Sequence, residues 1–413
     1  MAQVDSGISL RENNQSYWQL ALILSSGFGL VSTMVGAQIS TEYGAGVAVT
    51  SVVLGNLILW FIGLGIMSMT SERVHTIQNI KENLGVVSTI VAAVVIVAAF
   101  LVWYALQIKY PADALTLLVD KYAHNYDNLS LKVGMALGVV CALVGMGGIK
   151  FLKWVNICSF PVLFVCIVYF LYKSDRVVSF EGSWGFSFSG MLLVILTWFP
   201  GTVNLATFFR HSRSKANSCL SLTIMSILHA LFQLCFVFIG ITNPIQLILN
   251  DSGNIVHVLI VLCFVLLMFF CVNLLNIYWA SVGWEMFTRD KHGAKGYAVI
   301  GLLGTMIYVF FASSSPIAFM ESIGTVCIAN LGAVLIVSYI LKTIVQHRPR
   351  YIDKLSNSLC WFLGCFTAIG SLWLDSKNVP NAALVGICTS LIAFCMIMFI
   401  EEMTWSIKNL PRR

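Results

Sequence analysis

Stretches of about twenty apolar residues recur along the whole of this 413-residue chain. The hydrocarbon core of a bilayer is about 30 Å thick and takes roughly 20 helical residues to cross. Only 10% of the residues are charged, against about 25% in a typical soluble domain, so the polar side chains are too few to cover a globule in water. The chain is therefore predicted to be an all-α integral membrane protein.

About twelve transmembrane helices are predicted, because the apolar runs are continuous and lack the alternation that is typical of a membrane barrel. The predicted spans are 18–40, 45–69, 86–108 (with a possible extension to 119), 131–149, 151–173, 187–208, 219–241, 256–283, 296–312, 317–341, 356–374 and 382–400.

Lys and Arg concentrate in the connections on one side of these spans. Lys150 and Lys153 fall in one such connection, and Arg210, Arg213 and Lys215 fall in another. By the positive-inside rule this side is cytoplasmic. A multi-pass protein of the cell inner or plasma membrane is predicted, with both termini in the cytoplasm. The net charge of +6 then meets anionic lipid, and no nucleic-acid partner is expected.

Two predicted spans are interrupted at corresponding positions. The first contains Gly27 and Gly29, and the sixth contains Pro200 and Gly201. Transporters often repeat a five-helix unit in inverted orientation and break the first helix of each unit where the substrate binds. Glycine and proline are also common in membrane helices for packing alone, so both interpretations remain open.

A five-plus-five inverted repeat with two further helices accommodates this pattern. The predicted boundaries are a cytoplasmic tail at 1–17, a first repeat at 18–173, a second repeat at 187–341, helices 11 and 12 at 356–400, and a cytoplasmic tail at 401–413.

Several polar and aromatic side chains lie inside the predicted spans. Trp103 and Gln107 are four residues apart in the third span, and Asn273 and Asn276 are three apart in the eighth, so each pair shares a helix face. Trp198 precedes the interruption of the sixth span. Indole rings and carboxamides suit a flat, uncharged heterocycle, which is held by stacking and by hydrogen bonds at its edge. Alternatively, tryptophan marks the membrane interface and the amides hold helices together.

The sequence resembles the nucleobase:cation symporter family, which includes cytosine and purine permeases and hydantoin transporters. The similar segments occur in family order and cover most of the chain. They are GAQ at 36–38, WYALQ at 103–107, KFLKW at 150–154 followed by Pro161, Trp198 followed by RHSRSK at 210–215, and NLLNIY at 273–278.

The resemblance implies a LeuT-like fold with the substrate between helices 1, 3, 6 and 8. It implies that Trp103 and Trp198 stack on the substrate, and that Gln107 and Asn276 bond to its edge with Asn273 nearby. The backbone at 27–29 and 199–201, which includes Gly29 and Phe199, is expected to contribute.

The chain departs from the family pattern where sodium-coupled relatives carry hydroxyl side chains, because Phe270, Cys271 and Val272 precede the asparagine pair. The coupling cation, H⁺ or Na⁺, therefore stays open. Thr207 and Asn330 replace an aspartate and a proline of the family, which leaves the exact substrate open.

Three ionisable residues are candidates for cation coupling. Lys109 and Asp113 are four residues apart near the end of the third span, and Glu321 lies one turn into the tenth. A solvated helix end for the first two, and an outer vestibule for the third, are the simpler interpretations.

The sequence thus predicts a secondary active transporter, or permease, for a nucleobase or similar small heteroaromatic compound. It is expected to be cation-coupled and to work by alternating access. The alternative is an amino-acid or amine permease of the same fold. No GxxxxGK[ST] sequence is present, so ATP binding is not predicted. The spans contain too few ionisable groups to indicate an enzyme active site. No cofactor or bound metal is expected.

Overall fold

The computed structural model describes residues 15–69, 76–122, 128–174, 184–250, 253–284, 286–287, 294–311, 316–343 and 354–408. In chain order the helices are α1 (Tyr17–Ser26), α2 (Gly29–Tyr43), α3 (Ala45–Met69), α4 (Thr76–Tyr122), α5 (Leu129–Gly145), α6 (Gly148–Lys173), α7 (Phe188–Val203), α8 (Ala206–Phe209), α9 (Lys215–Ile239), α10 (Pro244–Asn250), α11 (Ile255–Trp284), α12 (Ala294–Phe311), α13 (Pro316–Thr343), α14 (Lys354–Leu374) and α15 (Val379–Lys408).

Each of the twelve predicted spans has a counterpart among these helices. In the described part of the chain, nine helices are long and apolar enough to cross a membrane. The pair α1 and α2, bent by 71°, forms a tenth, broken span, and the shorter apolar helices α5 and α7 occupy the places of the fourth and sixth. The prediction of an all-α membrane protein is confirmed.

Helix α4 is longer than the predicted third span. It begins at Thr76 and continues to Tyr122, with a kink at Gly85, where φ is 80° and ψ is 178°. This backbone conformation interrupts the helix and suits a residue without a Cβ. Lys109 and Asp113 therefore lie within α4, in agreement with the longer of the two predicted limits.

The second interruption lies further along the chain than Pro200 and Gly201. Helix α7 runs through both residues to Val203, and a turn at Asn204 and Leu205 separates it from α8. The Asn204 side-chain amide donates to the carbonyl of Pro200 at 2.9 Å. This bond takes the acceptor that a regular helix would offer to the backbone N–H of Asn204, so the helix ends there.

The centre of the bundle is formed where α4 and α11 pack closely. A Cβ on Gly283 of α11 would lie 2.7 Å from Val97 of α4, and the rings of Phe100 and Trp279 stack at 4.8 Å. Glycine at this crossing permits the close approach of the two helices. Large apolar side chains elsewhere point outward, as Phe366 does with 81% of its surface exposed, which suits contact with lipid.

Some sequence-based predictions concern segments outside the described residues. These segments include residues 1–14 of the N-terminal tail, residues 409–413 of the C-terminal tail, and most of the connections at 70–75, 175–183 and 344–353. Basic residues that support the predicted orientation also lie there: Arg11, Arg73, Arg289, Lys291, Arg348, Arg350, Arg412 and Arg413. The orientation and the repeat boundaries remain predictions.

Candidate functional site

The candidate site is built around the break between α1 and α2. Helix α1 ends at Ser26, and α2 begins at Gly29 with φ +75°. The carbonyls at the end of a helix have no partners within it. Here the Ser26 hydroxyl donates to the carbonyls of Leu22 at 3.0 Å and Ile23 at 3.2 Å. The side-chain amide of Asn156 in α6 also donates to Ile23, at 3.1 Å.

Gln107 of α4 lies directly against this break. A Cβ on Gly29 would be 3.1 Å from Gln107 Nε2 and 3.2 Å from Val272 of α11. Gln107 is buried, and its Oε1 has no hydrogen-bond partner among the described residues. A buried acceptor without a partner is uncommon in proteins, so Gln107 has an unused acceptor next to an interrupted helix.

Trp198 of α7 reaches the same break from another side. Its ring packs edge-on against Phe28 at 5.0 Å and against Trp279 of α11 at 5.8 Å. Its indole Nε1 is buried and has no acceptor among the described residues. Trp198 therefore lies where the break, α7 and α11 meet.

Phe199 takes a different direction from its neighbour. It is buried against α13, where a Cβ on Gly332 would lie 2.8 Å from Phe199 Cε1. The backbone from 198 to 201 is helical, and its carbonyls accept bonds from within the helix, such as that from Thr202 Oγ1 to Trp198 at 3.1 Å. The expected exposed backbone at 199–201 is therefore absent from this described segment.

The two asparagines of α11 share one face, as their spacing predicts. Asn276 Nδ2 donates to Asn273 Oδ1 at 3.1 Å, and both residues are buried. Asn273 Nδ2 has no acceptor in the described part of the chain. Asn276 lies seven residues before Gly283, so it shares the face of α11 that packs on α4.

Trp103 is partly buried on α4, one turn before Gln107. Its Nε1 is enclosed and finds no acceptor among the described residues. The ring makes no aromatic contact with Trp198 in that part of the structure. The two tryptophans therefore lie on different helices and do not stack on each other.

Two of the three cation-coupling candidates accept a hydrogen bond from a nearby hydroxyl group. Asp113 accepts a hydrogen bond from Ser130 of α5 at 2.7 Å, while Lys109 is exposed. These two described side chains form no ion pair with each other. Glu321, partly buried in α13, accepts a bond from Thr325 of the same helix at 3.0 Å.

Other residues at the break were not assigned to the site from sequence. His229 of α9 stacks on Phe28 at 4.0 Å and contacts the Ser32 hydroxyl at 2.7 Å. Trp279 touches Trp198 and carries another unpaired indole N–H within the described structure. The position of Trp279, three residues after Asn276, was a usable signal, whereas the Phe28–His229 stack depends on tertiary packing.

No protein-family model matches the sequence, and no curated protein sequence matches it. Solved structures do match. Mhp1, a nucleobase-cation-symport-1 family transporter solved in a closed conformation with bromovinylhydantoin bound, is 16% identical with a TM-score of 0.67, over 97% of this chain and 94% of that one.

Two further transporters are similar over nearly their full lengths. A Na⁺-coupled sialic acid symporter in a substrate-bound outward-open state is 11% identical, with a TM-score of 0.67 over 94% of this chain and 90% of that one. A mutant of the Eremococcus coleocola manganese transporter is 11% identical, with a TM-score of 0.61 over 98% of this chain and 97% of that one. At these identities the similarity establishes the fold, and the predicted LeuT-like architecture is confirmed.

Proposed function

We propose that this protein is a secondary active transporter for a nucleobase or a similar small heteroaromatic compound. Its fold is that of transporters for a hydantoin, sialic acid and manganese, so the fold supports transport rather than enzymatic activity without specifying the cargo. The cargo is inferred from the side chains at the break. Alternating access would move the broken helices relative to the α4–α11 centre.

The observation that carries the cargo proposal is a set of unpaired polar atoms on α4, α7 and α11, three helices that contribute side chains around the break. Trp103 Nε1, Trp198 Nε1 and Asn273 Nδ2 are buried donors, and Gln107 Oε1 is a buried acceptor, with no partners among the described residues. Leaving such a group unpaired costs about 1–3 kcal/mol. A base offers ring nitrogens, carbonyls and N–H groups at its edge, which satisfy both kinds of atom.

With Trp279 Nε1 and Asn156 Oδ1, which are also buried without partners among the described residues, the set contains four donors and two acceptors. Uracil and hydantoin each carry two carbonyls, with two lone pairs apiece, and two N–H groups, so they fit this ratio better than an amine-rich cation does. The aromatic rings of Trp198 and Trp279 add apolar faces against which a planar ring can stack.

A competing cargo is an amino acid or another small carboxylate. Helix α2 begins after Phe28, which provides no side-chain cap, so its first backbone amides are available to an anion. The experiment that separates the two is a thermal-shift series with uracil, hydantoin, adenine, cytosine and amino acids. A base should raise the unfolding midpoint with the logarithm of its concentration. Stabilisation by amino acids alone would replace the proposal with the competing one.

A proton is the coupling cation that the ionisable candidates suggest. Glu321 lies in α13, is partly buried, and accepts a hydrogen bond from Thr325 without an ionic partner among the described residues. Uptake into vesicles should then depend on a pH gradient and should lose that dependence in Glu321→Gln. Uptake that ignores a protonophore would exclude proton coupling while leaving the cargo assignment intact.

A further inference from the structure

The end of α1 is a negative pole inside the bundle. The last carbonyls of a helix carry partial negative charge, which in transporters with broken helices is often neutralised by a bound cation. In this chain the neutralising groups are visible. Ile23, in the last turn of α1, accepts from Asn156 Nδ2 at 3.1 Å and from Ser26 Oγ at 3.2 Å.

The surroundings of this contact are uncharged. Asn156 is fully buried in α6, and Ser159, one turn later, is also buried. On the α11 side Cys271 faces the hydroxyls of Ser26 and Ser159, and it is followed by Val272. A thiol is a soft ligand, and sodium prefers hard oxygen ligands. The described contacts at the end of α1 therefore consist of an amide, hydroxyls and a thiol, and Asn156 Oδ1 has no hydrogen-bond partner among the described residues.

We propose that the Asn156 carboxamide takes the place of a coupling sodium ion at the end of α1. A cation bound to the Ile23 oxygen from the α6 side would have to displace the amide nitrogen, which already donates there. Asn156 is thus a positioning residue that joins the broken span to α6, and transport proceeds without Na⁺. This inference rests on the proposed transport function, but its test requires no cargo.

The test compares unfolding midpoints of the purified full-length protein in NaCl and in KCl at equal ionic strength. The wild-type midpoint should be the same in both salts. Asn156→Asp replaces the donating amide by a carboxylate, which has no donor and is repelled by the Ile23 carbonyl. The unfolding midpoint of this variant in KCl should therefore be lower than that of the wild type. Added Na⁺ should then restore it by equal increments for each tenfold rise in concentration, as a ligand of the native state does.

Asn357→Asp is the matched control. Asn357 is buried in α14, where its Nδ2 donates to the carbonyl of Asn83 at 2.8 Å and to Ser338 Oγ at 3.1 Å. Asn357→Asp should lower the unfolding midpoint equally in NaCl and in KCl, so added Na⁺ should not restore it. Equal responses of the two variants to Na⁺ would overturn the proposal.

A saturable rise of the wild-type midpoint in Na⁺ over K⁺ would also overturn it, and this measurement stands even if Asn156→Asp fails to fold. The proposed cargo is tested separately, by the shift of the unfolding midpoint when a nucleobase is added in KCl. Failure of those shifts would remove the cargo assignment and leave the sodium comparison decisive for Asn156.

Discussion

Gly29 combines a backbone conformation and a close neighbour that both disfavour a side chain. Its φ is +75°, and a Cβ there would lie 3.1 Å from Gln107 Nε2. Gly29→Ala should lower the free energy of unfolding by about 1–2 kcal/mol, the cost of a left-handed residue with a Cβ. The methyl group should also push the Gln107 carboxamide away from the break. Losing one neutral hydrogen bond costs about 0.5–1.5 kcal/mol, so the Kd for a bound base should rise about two- to tenfold.

Gly148→Ala provides the control for backbone strain. Gly148 begins α6 with φ +59°, and a Cβ there would meet Tyr297 at 3.3 Å rather than a site residue. Thermal unfolding should show similar losses for the two variants. Calorimetric titration with the best-stabilising base should show weaker binding for Gly29→Ala alone. Equal Kd values for the two variants would refute the role assigned to the Gly29–Gln107 contact.

Three other substitutions test the site and its supports. Trp198→Phe keeps an aromatic ring but removes the unpaired N–H. The affinity for a base, measured by calorimetric titration, should therefore fall about two- to tenfold. An unchanged affinity would show that this N–H does not bind the base. Gln233→Leu breaks a buried bond of 2.9 Å to an α2 carbonyl and should lower the free energy of unfolding by about 1–3 kcal/mol, measured by denaturation. Tyr278→Phe removes the hydroxyl that accepts from Arg210 at 2.9 Å, and backbone hydrogen exchange at 205–212 should accelerate about two- to tenfold. Unchanged exchange would show that this contact does not hold the segment.

The number of spans was predictable because the bilayer sets the length of an apolar helix. The same reasoning placed side chains on shared helix faces. The four-residue spacing of Trp103 and Gln107 and the three-residue spacing of Asn273 and Asn276 follow from helix geometry alone. The hydrogen bond between the two asparagines is the direct consequence of such a spacing.

The exact place of the second interruption was not predictable in the same way. Proline lacks a backbone donor, which is why an interruption was predicted at Pro200. The helix nevertheless continues to Val203, because it ends where the Asn204 side chain captures the Pro200 carbonyl. The role predicted for Phe199 stays a prediction, and its side chain lies against Gly332 of α13. Neither contact can be recognised from sequence spacing.

The two halves of the broken span, α1 and α2, form polar bonds with different helices. This difference bears on how the chain can move at the break. The α1 half is tied to α6 through Asn156 and Ile23. The α2 half is tied to α9, because Gln233 Nε2 donates to the Ser32 carbonyl at 2.9 Å and His229 contacts the Ser32 hydroxyl at 2.7 Å.

Gln233 extends the second attachment to another helix, since its Oε1 accepts from Asn56 of α3 at 2.7 Å. Polar bonds therefore join α2 to α9 and α9 to α3, and join α1 to α6, while α1 also packs against α9. Between the two halves only residues 27 and 28 lie outside a helix. A rotation at residues 27 and 28 would therefore preserve the polar bonds between α1 and α6 and those between α2 and α9. Hinge motions at the ends of rigid elements have this character.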